Sequence, residues 1–331
     1  MERFALAAAV VLGFALTAAL CSLFVPLRRV LERREQNQQP VQSEQPRPAP
    51  LRAPLWGGLC AAAGTVAAVG VGWLAACVGQ PELLGSEGRL MTRLLTALAG
   101  SLAFGAVGFA EDLARMRSPA ALGLRRDVRL LLEALAAAFV LLLLQAAGCL
   151  PRGLDVPGAG YVLLGSAVPF LWAVLMVALA ECARIAERDE GTVCGAAFVA
   201  MLALMMVEAG LGVSGLAVLP AALAGALVAL GLWAFPPARL GVGCCGSLLA
   251  AGAIGCIPLS LDMTSLTVPL ALPFWAAGGL LAAQLLCAKR TGKPLRCWVK
   301  KHKMSPETVF LCSFALSAVG YVLALALLRW C

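Results

Sequence analysis

Long apolar runs separated by short polar loops dominate this chain of 331 residues. About ten of them approach or exceed the roughly 17–25 residues that a helix needs to cross the hydrocarbon core of a bilayer. They cover residues 4–27, 54–79, 91–110, 130–149, 161–180, 192–208, 212–234, 245–261, 266–287 and 308–329. In lipid, a helix is the structure that satisfies its own backbone hydrogen bonds within one such segment. The expected fold is therefore all-α, a polytopic membrane protein of about ten transmembrane helices.

Composition supports this class and argues against others. Apolar residues make up 61% of the chain and charged residues 13%, whereas a soluble domain carries about a quarter of its residues as charges. The formal charge of +8 does not indicate a nucleic-acid partner, because the basic residues lie in short loops and aromatic residues are only 6%. The thirteen cysteines include no Cys-x-x-Cys pair, which favours buried thiols over a metal site.

The basic residues also predict the orientation in the membrane. All but five of the 26 Lys and Arg residues fall in loops that follow odd-numbered spans. Loops rich in Lys and Arg stay in the cytoplasm, so both termini are expected outside and the loops after odd-numbered spans in the cytoplasm. We expect a single membrane domain over residues 1–331, in which the proline-rich polar stretch 28–53 forms a flexible cytoplasmic linker.

Acidic residues are concentrated at two span ends on the predicted cytoplasmic side. One group is Glu111-Asp112, and the other, over residues 181–190, includes Glu187 and Glu190. Residues three apart share a helix face, so the latter pair points the same way. Together the groups could bind a divalent cation through oxygen ligands or, with neighbouring arginines, a phosphorylated headgroup. The alternative is ordinary solvated charges that pair locally.

Four segments carry recognisable motifs. They are residues 54–58 (Pro-Leu-Trp-Gly-Gly), 108–112 (Gly-Phe-Ala-Glu-Asp) followed by 123–124 (Gly-Leu), 237–239 (Pro-Ala-Arg) followed by 243–248 (Gly-Cys-Cys-Gly-Ser-Leu), and 289–293 (Lys-Arg-Thr-Gly-Lys). In order and spacing they resemble the motifs of the prenyl-phosphate hexosamine-1-phosphate transferases, glycosyltransferase family 4. Within that family, the phospho-N-acetylmuramoyl-pentapeptide transferase branch of peptidoglycan synthesis is the most similar.

The resemblance implies a reaction and a set of residue roles. The family transfers a phospho-sugar from a UDP-sugar to undecaprenyl phosphate, releases UMP and uses Mg²⁺. The resemblance also implies a location in the plasma (inner) membrane. Glu111 and Asp112 would be catalytic, handling the lipid phosphate and the metal. Substrate-binding residues would be Arg129, Glu187, Glu190 and His302. The metal would be bound by Asp112 and Glu187, and Cys244 stands at the expected position of a further ligand.

The sequence also departs from the family pattern at residues that are expected to take part in the reaction. Cys244 replaces a carboxylate, and a thiol is a poor ligand for Mg²⁺. Glu181 and Arg184 replace two amides, and the family's histidine run is reduced to His302, which is also typical of a surface histidine in a basic loop near anionic lipid. Two hypotheses therefore stay open. One is a divergent but working transferase, and the other is a catalytically impaired member that binds a polyprenyl phosphate or a partner protein.

A transporter or channel is disfavoured because almost no ionisable residue lies in the middle of a span. The sequence leaves the oligomeric state open, with a homodimer among the arrangements it allows.

Overall fold

The computed structural model of the protein describes residues 2–38, 56–79, 88–117, 123–151, 153–156, 160–163, 165–187, 191–213, 215–235, 239–291 and 306–330. Within these ranges the helices are α1 (Glu2–Gln38), α2 (Gly57–Gly79), α3 (Gly88–Arg117), α4 (Arg126–Ala146), α5 (Ala167–Ala186), α6 (Thr192–Gly210), α7 (Val218–Ala234), α8 (Gly243–Ser260), α9 (Thr267–Leu270), α10 (Leu272–Thr291) and α11 (Pro306–Trp330). A helix covers most of each apolar run, so the all-α class is confirmed.

Not every predicted span has the length and apolarity of a membrane helix. Among the described residues, seven helices do, and the bent pair Thr264–Leu270 and Leu272–Ala283, with 64° between its parts, would be an eighth. Helix α7 is shorter, with 17 residues. Helix α4 has charged side chains in its first two turns, at Arg126, Asp127, Arg129 and Glu133. The protein is thus a membrane protein of several spans, and the count of ten stays a prediction.

Two boundaries differ from the sequence prediction. The predicted fifth span, 161–180, begins instead at Ala167, because Gly160–Leu163 forms a strand (β2) that pairs antiparallel with Gly153–Val156 (β1). Gly160 has a φ of 72°, a conformation that glycine adopts at no steric cost where a chain turns. Helix α1 continues through Gln38, so the start of the predicted linker is helical, and residues 39–53 lie outside the described ranges.

Helix α8 is the central element of the bundle. All of its residues are buried, and it packs against α2, α3 and α5. Its sequence is Gly- and Ala-rich, and small side chains let neighbouring backbones approach closely in a membrane protein. A Cβ at Gly108 of α3 would collide with the carbonyl of Cys244, and a Cβ at Gly58 of α2 would collide with the backbone N of Gly246. These two glycines are therefore required for the packing around the start of α8.

Candidate active site

Five carboxylates and three guanidiniums form a cluster at one end of the helix bundle. Its members are Glu111, Asp112, Arg115, Arg129, Glu133, Glu181, Arg184 and Glu187. This end is formed by the last turns of α3 and α5 and the first turns of α4 and α8. The hairpin β1–β2 lies at the opposite end, where the Tyr161 hydroxyl is 3.4 Å from a carboxylate oxygen of Asp262, just after α8. Because consecutive long helices alternate in direction, the loops after α3, α5 and α7 share a side of the molecule. The cluster therefore lies on the side that the sequence analysis assigns to the cytoplasm.

Asp112 joins the end of α3 to the start of α8. Its Oδ1 accepts the backbone N–H of Cys244 at 3.0 Å, and its Oδ2 accepts that of Cys245 at 2.9 Å. The first N–H groups of a helix have no partner within the helix, and the positive end of the helix dipole favours a carboxylate there. Gly243, with a φ of 70°, places these N–H groups towards α3. Asp112 is thus buried, at 1% exposure, and fully engaged.

Arg115 is shared by three carboxylates. One of its terminal nitrogens lies 2.8 Å from Glu111 Oε1, and the other lies 3.8 Å from Asp112 Oδ1 and 3.5 Å from Glu187 Oε2. The Cys244 thiol completes this group, with its Sγ 3.7 Å from the same oxygen of Glu187. The guanidinium thereby links α3 to Glu187 at the end of α5, and the thiol links Glu187 to α8.

A second set of ion pairs extends the cluster between α4 and α5. Arg129 Nε donates to Glu181 Oε1 at 2.7 Å, and Arg184 donates to the other oxygen of Glu181 at 2.6 Å. Arg129 is also 3.5 Å from Glu111 and 3.9 Å from Glu133. The two oxygens of the fully buried Glu133 have no hydrogen-bond partner. Arg129 therefore bridges the two halves of the cluster.

This arrangement lies within the segment that matches a known family. The family model of glycosyl transferase family 4 matches residues 94–262, just over half of the chain. The chain belongs to glycosyl transferase family 4. The residues of its cluster, together with Cys244 and Cys245 at the start of α8, all fall inside the matched segment.

Similar proteins carry one name. The chain is 32% identical over 170 residues to the phospho-N-acetylmuramoyl-pentapeptide-transferase of Desulforudis audaxviator, a match that covers 48% of this chain and 50% of that relative. It is 25% identical over 309 residues to the protein of that name from Geobacillus kaustophilus, covering 92% and 89%. The identity to the Mycobacterium tuberculosis protein is 27% over 265 residues, or 72% of each chain. The resemblance drawn from the sequence motifs is confirmed, at low identity.

The structure brings together some of the site residues that the sequence analysis predicts. Glu111, Asp112, Arg129 and Glu187 all lie in the cluster, and Cys244 lies beside Glu187. Glu190 and His302 lie outside the described residues, as do Gly292 and Lys293 of the predicted basic segment, and no side-chain placement is described for Lys289 to Thr291. The roles assigned to all these residues stay predictions.

Four members of the cluster were not among the predicted site residues: Arg115, Glu133, Glu181 and Arg184. Arg115 follows Asp112 by three positions and Glu111 by four, a spacing at which helical side chains meet. Glu133 has the same relation to Arg129, and Arg184 to Glu181. Helical spacing already indicates that Glu181 and Arg184 share a face, and it could have found the other local pairs. Nothing in the spacing indicates the contacts between helices.

The partners of the carboxylates show how well the site fits Mg²⁺. Both oxygens of Asp112 accept backbone N–H groups, and Glu187 is engaged by Arg115 and by the Cys244 thiol. Over the described ranges, no group of three His, Cys, Asp or Glu side chains is arranged to hold a metal ion. Mg²⁺ prefers oxygen ligands in near-octahedral geometry. Among the described residues, the side chains in this arrangement are therefore paired with the guanidinium of Arg115 and are not grouped as Mg²⁺ ligands.

Proposed function

We propose that this protein transfers a phospho-sugar from a UDP-sugar to a polyprenyl phosphate, with undecaprenyl phosphate as the expected acceptor, in the synthesis of cell-wall precursors. The observation that carries the proposal is the convergence of Asp112, Arg115, Glu187 and the start of α8 at one end of the bundle, inside the family segment. The name shared by the relatives supports the same reaction.

The reaction is the displacement of one phosphate oxygen by another. An oxygen of the acceptor phosphate attacks the phosphorus that bears the sugar and forms a new P–O bond. The bond from that phosphorus to the bridging oxygen breaks, and UMP leaves with the electron pair. Catalysis of such a transfer consists of positioning and neutralising phosphate charge, with little covalent chemistry for the protein.

The cluster can supply both requirements from its own side chains. Arg115, Arg129 and Arg184 provide guanidiniums, which match phosphate oxygens in a bidentate manner. Glu111 and Glu181 hold these guanidiniums at 2.6–2.8 Å, so that the positive charge is preorganised. Asp112 fixes the start of α8 and lies 3.8 Å from a terminal nitrogen of Arg115. We assign charge neutralisation to the arginines, orientation to Glu111 and Glu181, and the fixing of the α8 start to Asp112.

The position of the cluster suits two substrates of different solubility. A polyprenyl phosphate reaches the end of a bundle from the bilayer, and a UDP-sugar reaches it from water. The Lys and Arg bias supports a position of this end at the cytoplasmic face of the membrane.

The test uses the full chain in nanodiscs with undecaprenyl phosphate and a panel of UDP-sugars. We expect acceptor-dependent release of UMP with at least one donor. Arg117, exposed on the same helix as Arg115, provides a control, since Arg117→Ala should release UMP at the same rate as the unaltered protein. A folded protein that releases no UMP with any donor, with or without Mg²⁺, would overturn the proposal. Binding of undecaprenyl phosphate by such a protein would support the alternative of a catalytically impaired, ligand-binding protein. The observation behind that alternative is Cys244 at the expected position of a carboxylate.

A further inference from the structure

One guanidinium occupies the place where a divalent cation would be expected. Arg115 lies within 3.8 Å of carboxylate oxygens of Glu111, Asp112 and Glu187. Two of these carboxylates belong to α3, and the third follows the last residue of α5. Carboxylates from separate helices that surround one positive centre are the arrangement by which proteins bind hard cations. Here the positive centre belongs to the chain itself.

The thiol at position 244 is consistent with this exchange of charge. The motif resemblance implies a metal-binding carboxylate there, and the structure has a Cys244 whose Sγ contacts Glu187. A thiol is ordinarily protonated at neutral pH, so the carboxylate-to-thiol change removes one negative charge. If a guanidinium also stands in for a divalent cation, one positive charge is removed as well, and the two changes balance each other.

We propose that Arg115 is a built-in cation that replaces the divalent metal ion at this site. The carboxylates of Glu111, Asp112 and Glu187 are then ligands of a guanidinium. For the substrate the inference rests on the proposed function, because it means that a pyrophosphate group meets Arg115 directly and binds without a divalent ion. A guanidinium is always charged and presents its donors in a planar fork, which provides both the charge and the geometry for that contact.

The cluster as a whole contains more carboxylates than guanidiniums, so the binding of a divalent ion has to be measured. The described cluster contains five carboxylates, of Glu111, Asp112, Glu133, Glu181 and Glu187, and three guanidiniums. The excess of carboxylates includes Glu133, which lies 3.9 Å from Arg129. A direct measurement of cation binding decides whether this excess attracts a divalent ion to the Arg115 side.

The probe is Mn²⁺, whose free-ion signal in electron paramagnetic resonance disappears on binding. The full chain is titrated in nanodiscs of zwitterionic lipid, since anionic headgroups would bind Mn²⁺. The unaltered protein and the Glu187→Gln variant are titrated in parallel, and the measured quantity is the difference in bound Mn²⁺ between them. We expect this difference to be zero. A saturable difference of about one Mn²⁺ per chain would overturn the inference.

A second experiment uses a variant that is designed to bind the metal. The double substitution Arg115→Met with Cys244→Asp removes the guanidinium and adds the carboxylate, so we expect it to gain one saturable Mn²⁺. The matched control, Arg117→Met with Cys244→Asp, keeps Arg115 and should gain none. A folded Arg115→Met/Cys244→Asp chain that binds no Mn²⁺ would also contradict the inference. If that chain does not fold, the titration of the unaltered protein still decides.

The two proposals fail in different ways. The Mn²⁺ titration uses no substrate, so an inactive protein leaves its outcome unaffected. Absence of UMP release together with absence of Mn²⁺ binding would overturn the proposed function and support the role of Arg115. UMP release that is abolished by EDTA, together with Mn²⁺ binding at Glu187, would support the function and overturn the role of Arg115.

Discussion

The carboxylate of Asp112 accepts the backbone N–H of Cys244 at 3.0 Å, although 132 positions separate the two residues in the chain. This bond fixes the end of α3, with Glu111 and Arg115, against the start of α8. The second oxygen of Asp112 accepts the next N–H, of Cys245. The cluster therefore depends on a helix start that is capped from another helix.

The first prediction concerns that cap. Asp112→Asn leaves one acceptor oxygen for two N–H groups and removes the negative charge at the positive end of α8. We expect a loss of about 1–3 kcal/mol in the free energy of unfolding, the cost of leaving a buried donor unpaired, and loss of UMP release. Thermal unfolding in detergent and the UMP assay measure the two effects. Asp127→Asn, at an exposed position in α4, is the control, and equal effects of the two substitutions would contradict the cap.

The second prediction concerns the close contact of α3 with α8. Gly108→Ala would place a Cβ against the carbonyl of Cys244, and the two helices would have to separate. Overpacking of this kind costs about 1–3 kcal/mol, and UMP release should fall with it. Gly70→Ala in α2 is the matched control, because no heavy atom lies within 4 Å of the position of its Cβ. A chain with Gly108→Ala as stable and active as the control would show that the contact is not needed.

The third prediction tests the coupling of Arg129 to Glu133. Arg129→Met leaves the buried carboxylate of Glu133 without its cation at 3.9 Å, so we expect a marked loss of stability. Adding Glu133→Gln removes the unpaired charge and should restore part of it. The coupling free energy from the double-mutant cycle should be about 0.5–3 kcal/mol. Strictly additive effects of the two substitutions would mean that the pair does not interact.

The fourth prediction concerns the thiol beside Glu187. Cys244→Ser keeps a hydrogen-bond donor towards Glu187 and should change thermal stability little. Cys244→Asp places a carboxylate within about 4 Å of Glu187, where like charges destabilise each other. We expect a lower unfolding temperature for Cys244→Asp than for Cys244→Ser, measured in the presence of EDTA. The reverse order would indicate that position 244 accepts a second negative charge.

The elements of the fold were accessible from sequence to different degrees. Apolar runs such as 192–208 predicted helices directly, because lipid leaves a chain few other ways to pair its backbone. The hairpin was missed, since a strand of four residues at Gly160–Leu163 is too short to show an alternating pattern beside a long apolar run. The bend between Thr264–Leu270 and Leu272–Ala283 also leaves no periodic signal within one run.

The candidate site shows the same division. Glu111, Asp112 and Glu187 stand out in the sequence because charges are rare in this chain and these lie at span ends. The pairing of Arg129 with Glu181, 52 positions away, and the capping of α8 by Asp112 depend on how α3, α4, α5 and α8 pack. Sequence spacing does not indicate those contacts, so the contact of Arg115 with its third carboxylate, Glu187, could be found only in the structure.

The measurement that tests the central claim most directly follows the sugar phosphate itself. A UDP-sugar labelled in the sugar is incubated with the protein and undecaprenyl phosphate in nanodiscs, and the label in the extracted lipid is counted. We predict transfer of label with stoichiometric release of UMP, and its loss in the Arg115→Met chain but not in the Arg117→Met chain. A folded protein that transfers no label from any donor of the panel would contradict the proposed function.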